Sequence, residues 1–349
     1  MLNTERIVML YKVKNSTIAV IGDPHFGKKF LNGVDLSRRG EREQSQYEDF
    51  RNQMTDIGEA RTVIVMGDLF DQFRIEIDTL CSVTAIICQA AVSHPDVDYF
   101  ILQGNHDITR NKETWSSFDL AERMCGFADN IHFVKEIEYH STSDGSDTLM
   151  LIPYDAFTSA ADLVSAQKFW KLNEIAAAFG HWDIEDFGHT HNLIPLKELG
   201  SMVTDHIFTG HIHTPSEFSH EGDNGPIKVT VVGSLQPYTH GEDPTEKYYV
   251  TRTLAQYEAA IAADPLAFHN KVLRLYLKDD EQVPDNVDAL QFSFKYVDKD
   301  NQEEVEVKTE TFSFRGLFDE SMTENEVPPD VAQGIWNRYE EIASDAANT

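Results

Sequence analysis

Asp23 and His25 stand two residues apart in Gly22-Asp23-Pro24-His25-Phe26-Gly27, and the same kinds of side chain return four more times along the chain. Gly67-Asp68-Leu69-Phe70-Asp71, Gly104-Asn105-His106-Asp107, Gly180-His181 and Gly210-His211-Ile212-His213 complete the set. A glycine precedes the polar residue each time, which lets the backbone turn sharply and brings a ligand close to a metal. Asp, Asn and His make a mixed oxygen and nitrogen donor set suited to manganese, iron or zinc, and no cysteine lies in any of these segments. A carboxylate such as Asp68 can bridge two cations about 3.5–4 Å apart, and such a pair activates a water and clamps an in-line displacement at phosphorus. The expected chemistry is phosphoester hydrolysis.

The positions of these segments support that reading. Apolar runs recur at Ile18 to Ile21, Val63 to Met66, Phe100 to Leu102, Leu149 to Ile152, Ile175 to Phe179, Ile207 to Thr209 and Val229 to Val232, with helical patterns between them. Strands alternating with helices imply an α/β fold, and all five polar segments follow such runs directly, at the strand ends where open α/β sheets bind ligands. Tyr47, Phe50, Met54 and Ile57 draw one apolar stripe of a first helix, and a second runs through Leu80 to Val92. After about residue 255, Leu273, Leu275 and Leu277 alternate, as do Phe292, Phe294 and Tyr296, and a polar turn precedes Val305 and Val307. This pattern predicts a small antiparallel β unit. Arg315 to Ala343 carries apolar residues amid acids, split by Pro328-Pro329, and predicts two helical pieces that either meet a partner or pack back on the domain.

Composition narrows the classes. The chain has 349 residues, 41% of them hydrophobic and 25% charged, which is ordinary globular usage. No apolar stretch approaches the roughly 20 residues of a membrane span, and the N-terminus lacks a signal-peptide layout, so a cytoplasmic protein without membrane contact is expected. Cys81, Cys88 and Cys125 cannot close a disulfide framework; the first two, seven apart in a predicted helix, should share a buried face. The net charge of −30 argues against a broad, non-specific nucleic-acid surface but leaves room for a local one. Lys28, Lys29, Arg38, Arg39 and Arg42 form a basic stretch just after the first metal-ligand segment, readable either as candidate DNA contacts or as a solvated loop face.

Two look-alike motifs carry less weight. Gly188-His189-Thr190-His191 also spells a GHxH, but no strand precedes it, whereas Ile207-Phe208-Thr209 leads into His211. Gly22 to Lys29 approximates a nucleotide phosphate loop, with Lys29 where Ser or Thr should hold magnesium and Asp23 inside the loop. Of the histidines without a motif, His240, beside Gly241, is the one that could reach the site.

In their order and spacing, GDPHFG, GDLFD, GNHD, GHW and GHIH resemble the signature motifs of calcineurin-like metallophosphoesterases, over residues 22 to 213. That resemblance implies a β-sandwich flanked by helices and two divalent cations, manganese first, with magnesium, iron or zinc as substitutes. It assigns Asp23, His25, Asp68 and His213 to one cation and Asp68, Asn105, His181 and His211 to the other. His106 becomes the non-ligand that protonates the leaving oxygen, with Asp71 or Asp107 to orient it. Within the superfamily the chain is similar to the SbcD-type DNA-repair exonuclease subunit, phage recombination-nuclease versions included. Gly67 to Asp71 and Val232-Gly233-Ser234-Leu235-Gln236-Pro237 carry that likeness.

The SbcD-type likeness implies a nuclease domain over 1–260, a small α+β DNA-capping domain over 265–312, and a helical tail over 313–349 that binds an SbcC-type coiled-coil ATPase. It also implies DNA as substrate, a homodimer, and a place in the cytosol of a bacterium or phage-infected host. An extra N-terminal strand, Ile7 to Val13, before the first motif, and the acidity of the chain, depart from the pattern. Three functions remain open: a DNA-end nuclease, a phosphomonoesterase or small-molecule phosphodiesterase of the same fold, and a non-catalytic scaffold.

Overall fold

Short β-branched runs become buried strands, and the amphipathic stretches between them become the helices that cover the resulting sheets. The computed structural model describes residues 9–109, 114–142, 145–167, 175–185, 191–297, 328 and 331–338. A first sheet holds β1 (Met9–Val13), β2 (Ser16–Ile21), β3 (Thr62–Val65), β4 (Asp98–Leu102) and β5 (Ile131–Val134), in that order. β1 is antiparallel to β2, and the remaining neighbours are parallel. Parallel neighbours require crossovers, and α1 (Glu41–Thr55), α2 (Ile77–Ser93) and α3 (Ser117–Cys125) occupy them.

The second sheet holds β6 (Glu138–Ser141), β7 (Thr148–Ile152), β8 (Ile175–His181), β9 (Val203–Gly210), β10 (Ser216–Gly222) and β11 (Gly225–Val231), ordered β10-β11-β9-β8-β7-β6. Its outer pairs are antiparallel and its centre is parallel. Val20, Ile64, Phe100 and Leu102 of the first sheet meet Leu149, Leu151, Phe179 and Phe208 of the second in one buried layer. On the outer faces, Phe50, Met54, Val83, Ile87 and Phe118 pack the first three helices onto one sheet. Val164 and Leu199, of α4 (Ala160–Gln167) and α5 (Leu196–Leu199), cover the other. The architecture is therefore the expected α/β sandwich flanked by helices.

A third sheet corrects the prediction of an antiparallel unit. β12 (Tyr249–Thr253), β13 (Val272–Leu277) and β14 (Gln291–Tyr296) all run parallel. The alternation of leucines and aromatics reports one buried face and is blind to strand direction. α6 (Leu254–Ala263) provides the first crossover, and residues 278–290 provide the second. One strand thus comes from before residue 260 and two from after it.

All three sheets belong to one compact unit; in the other, the described residues include a helix over 331–338, where Val331 and Ile335 are exposed. Ile7, Gly188 to Thr190, Val305, Val307 and, of the expected tail, residues 313–327, 329–330 and 339–349 lie outside the described residues. Cys81 is exposed, contrary to the shared buried face expected, because α2 turns Leu80, Val83, Ile87 and Ala90 inward. Cys88 and Cys125 instead bring their sulfurs within 3.4 Å between α2 and α3. Among the described residues, no helix is long and apolar enough to cross a membrane.

Candidate metal centre

The five strand-end segments converge at one edge of the sandwich. β2 ends one residue before Gly22-Asp23, β3 runs into Gly67-Asp68, β4 precedes Gly104-Asn105, and β8 and β9 end at His181 and Gly210. Close approach explains the glycines. A Cβ at Gly104 would lie 2.2 Å from Asp68 N and Oδ1, and one at Gly67, whose φ is 121°, would lie 2.5 Å from His181 Nδ1. Only glycine lets these loops nest.

Their side chains form clusters that could hold metal ions: Asp23 with His25 and His213, Asp68 with His181 and His211, and, sharing His25, a third of His25 with Asp71 and His106. In the first, His25 Nε2 and His213 Nε2 are 3.0 Å apart, and His25 Nε2 is 3.5 Å from Asp68 Oδ2. In the second, Asn105 Oδ1 lies 2.9 Å from both His181 Nε2 and His211 Nδ1. Asp68 Oδ2 is 3.3 Å from His181 Nε2, so this carboxylate faces both groups. Its other oxygen accepts from His106 N at 2.9 Å.

Two buried atoms here, Asp23 Oδ1 and His25 Nδ1, lack a hydrogen-bond partner. The other Asp23 oxygen, Oδ2, accepts from His211 N at 2.6 Å. His181 donates Nδ1–H to Met66 O at 3.1 Å, which points Nε2 at two oxygens. That nitrogen needs either a second proton or a cation. Burial opposes the proton, yet the carboxylates of Asp68 and Asp23 hold the His181 pKa up to about 10. Burial raises Asp23 to about 6, and burial likewise pushes His25 well below the ordinary histidine range. Converging oxygen and nitrogen donors, one of them orphaned, fit a divalent cation better than they fit protons.

His106 donates Nδ1–H to the main-chain oxygen of Asp71 at 2.6 Å, and its ring packs edge-on to His25 at 4.9 Å. The Asp71 carboxylate instead lies 3.8 Å from His25 Nδ1 and 3.6 Å from Lys28 Nζ. Asp107 turns away from its neighbour: its carboxylate accepts from Leu69 N, Phe70 N and Gly104 N at 2.9–3.1 Å and ties the second segment to the third.

The basic candidates separate in the same way. Lys28 flanks the cluster, 4.9 Å over the Tyr238 ring, and Arg39 is exposed. Lys29 pairs with Glu76 at 2.8 Å, and Arg38 is held by Glu41 and the His269 carbonyl. Arg42 is 3% exposed and donates to Tyr249 OH and Pro237 O, so it braces α1 against the third sheet and offers no surface to a ligand. The loop after β11 matters for the site as well. Asp23 N donates to Gly233 O, Leu235 N to Asp23 O, and Ser234 N to His213 O, so it cross-ties the first and last segments. His240 bonds Thr251 and stays outside the cluster, whereas Glu242 reaches His213. Glu242 and Asp183, which faces His211, had no sequence signal beyond being acidic near a motif.

The calcineurin-like phosphoesterase family matches residues 16–215. A search of curated proteins finds no match. Among solved structures, a Staphylococcus aureus protein provisionally named a 5'-nucleotidase, solved with alpha-ketoglutarate, aligns at 14% identity and a TM-score of 0.35, over 62% of this chain and 48% of that one. The chain thus spans about half the length of that structure, and at this score the likeness bears on neither fold nor substrate. The family match spans more than half of the chain and contains every donor gathered at the sheet edge, and the chain belongs to the calcineurin-like phosphoesterases.

Proposed function

We propose that this metal-dependent phosphoester hydrolase is a phosphodiesterase that cuts DNA ends, the nuclease subunit of an SbcC–SbcD-like complex. Asp23, His25, Asp68 and His213 would hold one divalent cation and Asp68, Asn105, His181 and His211 the other, with manganese first. Bound there, the cations would supply the Lewis acidity that polarises a phosphoryl group and sharpens water as a nucleophile. The protein's own contribution centres on His106. With Nδ1–H fixed on the Asp71 carbonyl, Nε2 is the nitrogen left to hold a proton and pass it to the departing sugar oxygen. A DNA 3′ oxygen leaves poorly without that proton, and this placement of His106 beside the donor cluster is the observation that carries the reading. The full ligand set argues against a scaffold that has lost activity.

DNA engagement would begin at Lys28, and an SbcC-type ATPase bound through residues 313–349 would supply the rest of the nucleic-acid surface. That division reconciles the net charge of −30 with a DNA substrate. Exposed Trp115, Leu120, Met124 and Phe127, on and beside α3, support a homodimer. A second reading, hydrolysis of a phosphomonoester or small phosphodiester, draws on the same charge and on the commitment of Lys29, Arg38 and Arg42 to internal partners.

The two readings separate on end-labelled duplex DNA against a chromogenic phosphomonoester, each with manganese and with His106→Ala as control. Nucleotide release that collapses in the variant supports the nuclease. Turnover of the monoester alone moves the assignment to the second reading.

A further inference from the structure

His211 and His213 leave the end of β9 two residues apart, yet they turn different ring nitrogens toward the donor cluster. His211 presents Nδ1, 2.9 Å from Asn105 Oδ1 and 3.3 Å from His181 Nε2. His213 presents Nε2, 3.0 Å from His25 Nε2. Each ring keeps one nitrogen on its outer side, and each of these faces a carboxylate that belongs to none of the strand-end donor sets. His211 Nε2 is 3.0 Å from Asp183 Oδ1, and His213 Nδ1 is 3.6 Å from Glu242 Oε1.

Both carboxylates are held in place from behind. Asp183 donates its N–H to Asn192 O and accepts from Ile194 N, so its backbone is clamped just after β8. Glu242 accepts from Tyr238 N through its second oxygen at 2.7 Å. Their side chains are 15% and 16% exposed, so water screens the attraction between each carboxylate and its imidazole only in part. A neutral imidazole carries one N–H, and a carboxylate beside one nitrogen keeps the proton there and leaves the lone pair on the other.

We propose that Asp183 and Glu242 are positioning residues that fix opposite tautomers in His211 and His213, Nε2–H in the first and Nδ1–H in the second. The inference rests on the two-cation reading and extends it: each acid serves a different cation. Asp183 supports the group containing Asn105 and His181, and Glu242 supports the group containing Asp23 and His25. Glu242 lies past residue 215, so the segment that matches the family lacks one of the two supports.

The test is long-range proton–nitrogen NMR on the full chain, labelled with ¹⁵N-histidine and loaded with zinc, together with manganese titration followed by electron paramagnetic resonance. In the wild type, His211 should report Nε2–H and His213 Nδ1–H; the reverse in either ring overturns the proposal without need of a variant. Asp183→Ala should weaken one of two manganese sites by about 10–100-fold and leave the other unchanged, and Glu242→Ala should do the converse. Asp183→Asn and Glu242→Gln, which still offer an acceptor oxygen, should recover most of the loss, a rescue that simple loss of packing would not give. Two tight sites retained in both alanine variants overturn the inference and leave the two-cation reading standing. A wild-type chain that binds no cation overturns both.

Discussion

His106 Nδ1 lies 2.6 Å from the main-chain oxygen of Asp71, whereas the Asp71 carboxylate points to His25 and Lys28. The histidine is therefore oriented by backbone, and changing the Asp71 side chain leaves its anchor in place. At saturating manganese, His106→Ala should lower kcat on a phosphodiester by about 10²–10⁴, and Asp71→Ala should keep most of it. Equal losses in the two variants would show that the carboxylate does the orienting.

Asp107 makes the opposite prediction. Its carboxylate is the acceptor for three buried N–H groups, from Leu69, Phe70 and Gly104. Each buried donor left unpaired costs about 1–3 kcal/mol, so Asp107→Ala should lower the unfolding free energy by roughly 3 kcal/mol or more. Urea denaturation of the metal-free chain measures it. A change below about 0.5 kcal/mol, within the range of ordinary surface substitutions, would mean that the loops do not depend on this tie.

Gly104→Ala tests how tightly the second and third segments nest. A methyl group there would meet Asp68 at 2.2 Å, and the carboxylate it displaces is the one that faces both donor groups. Manganese affinity should fall at both sites together, as read by titration. Loss at one site alone would argue against Asp68 as the shared ligand.

His206 gives the protein an acid-sensitive term remote from the cluster. Burial and then Lys228 hold its pKa down to about 4, while its ring stacks on Phe208 and bonds Thr230. Above pH 6.5 both folded and unfolded forms are neutral there. Between about 6.5 and 4 the unfolded chain takes up the proton first, so stability falls with pH, by an amount on the order of 2–3 kcal/mol over that span. His206→Gln should flatten that part of the metal-free Tm-against-pH curve. An unchanged slope would place the acid sensitivity elsewhere.

What could be read from the sequence follows from which forces are local. Gly67-Asp68 and Gly210-His211 were legible because a β-branched run, a glycine and a donor follow one another in the chain. β5, β6 and β10 were not predicted: Ile131–Val134 and Glu138–Ser141 are four residues each, and Ser216–Gly222 is largely exposed and polar, so none writes a clear apolar pattern. The parallel course of β12 to β14 was hidden for a related reason, since side-chain alternation records a face and direction is set by the crossover. Asp183 and Glu242 depend on contacts with histidines 28 and 29 residues away in sequence, and nothing local marks them. The fate of Arg42, buried under Tyr249, was equally non-local.

The most direct test of the account is hydrolysis of end-labelled duplex DNA by metal-depleted chain as manganese is added in measured equivalents. Two cations sharing Asp68 predict no cleavage in chelator, and nucleotide release that climbs to a plateau near two equivalents per chain. Cleavage that persists in chelator, or saturates at a single equivalent, would contradict it.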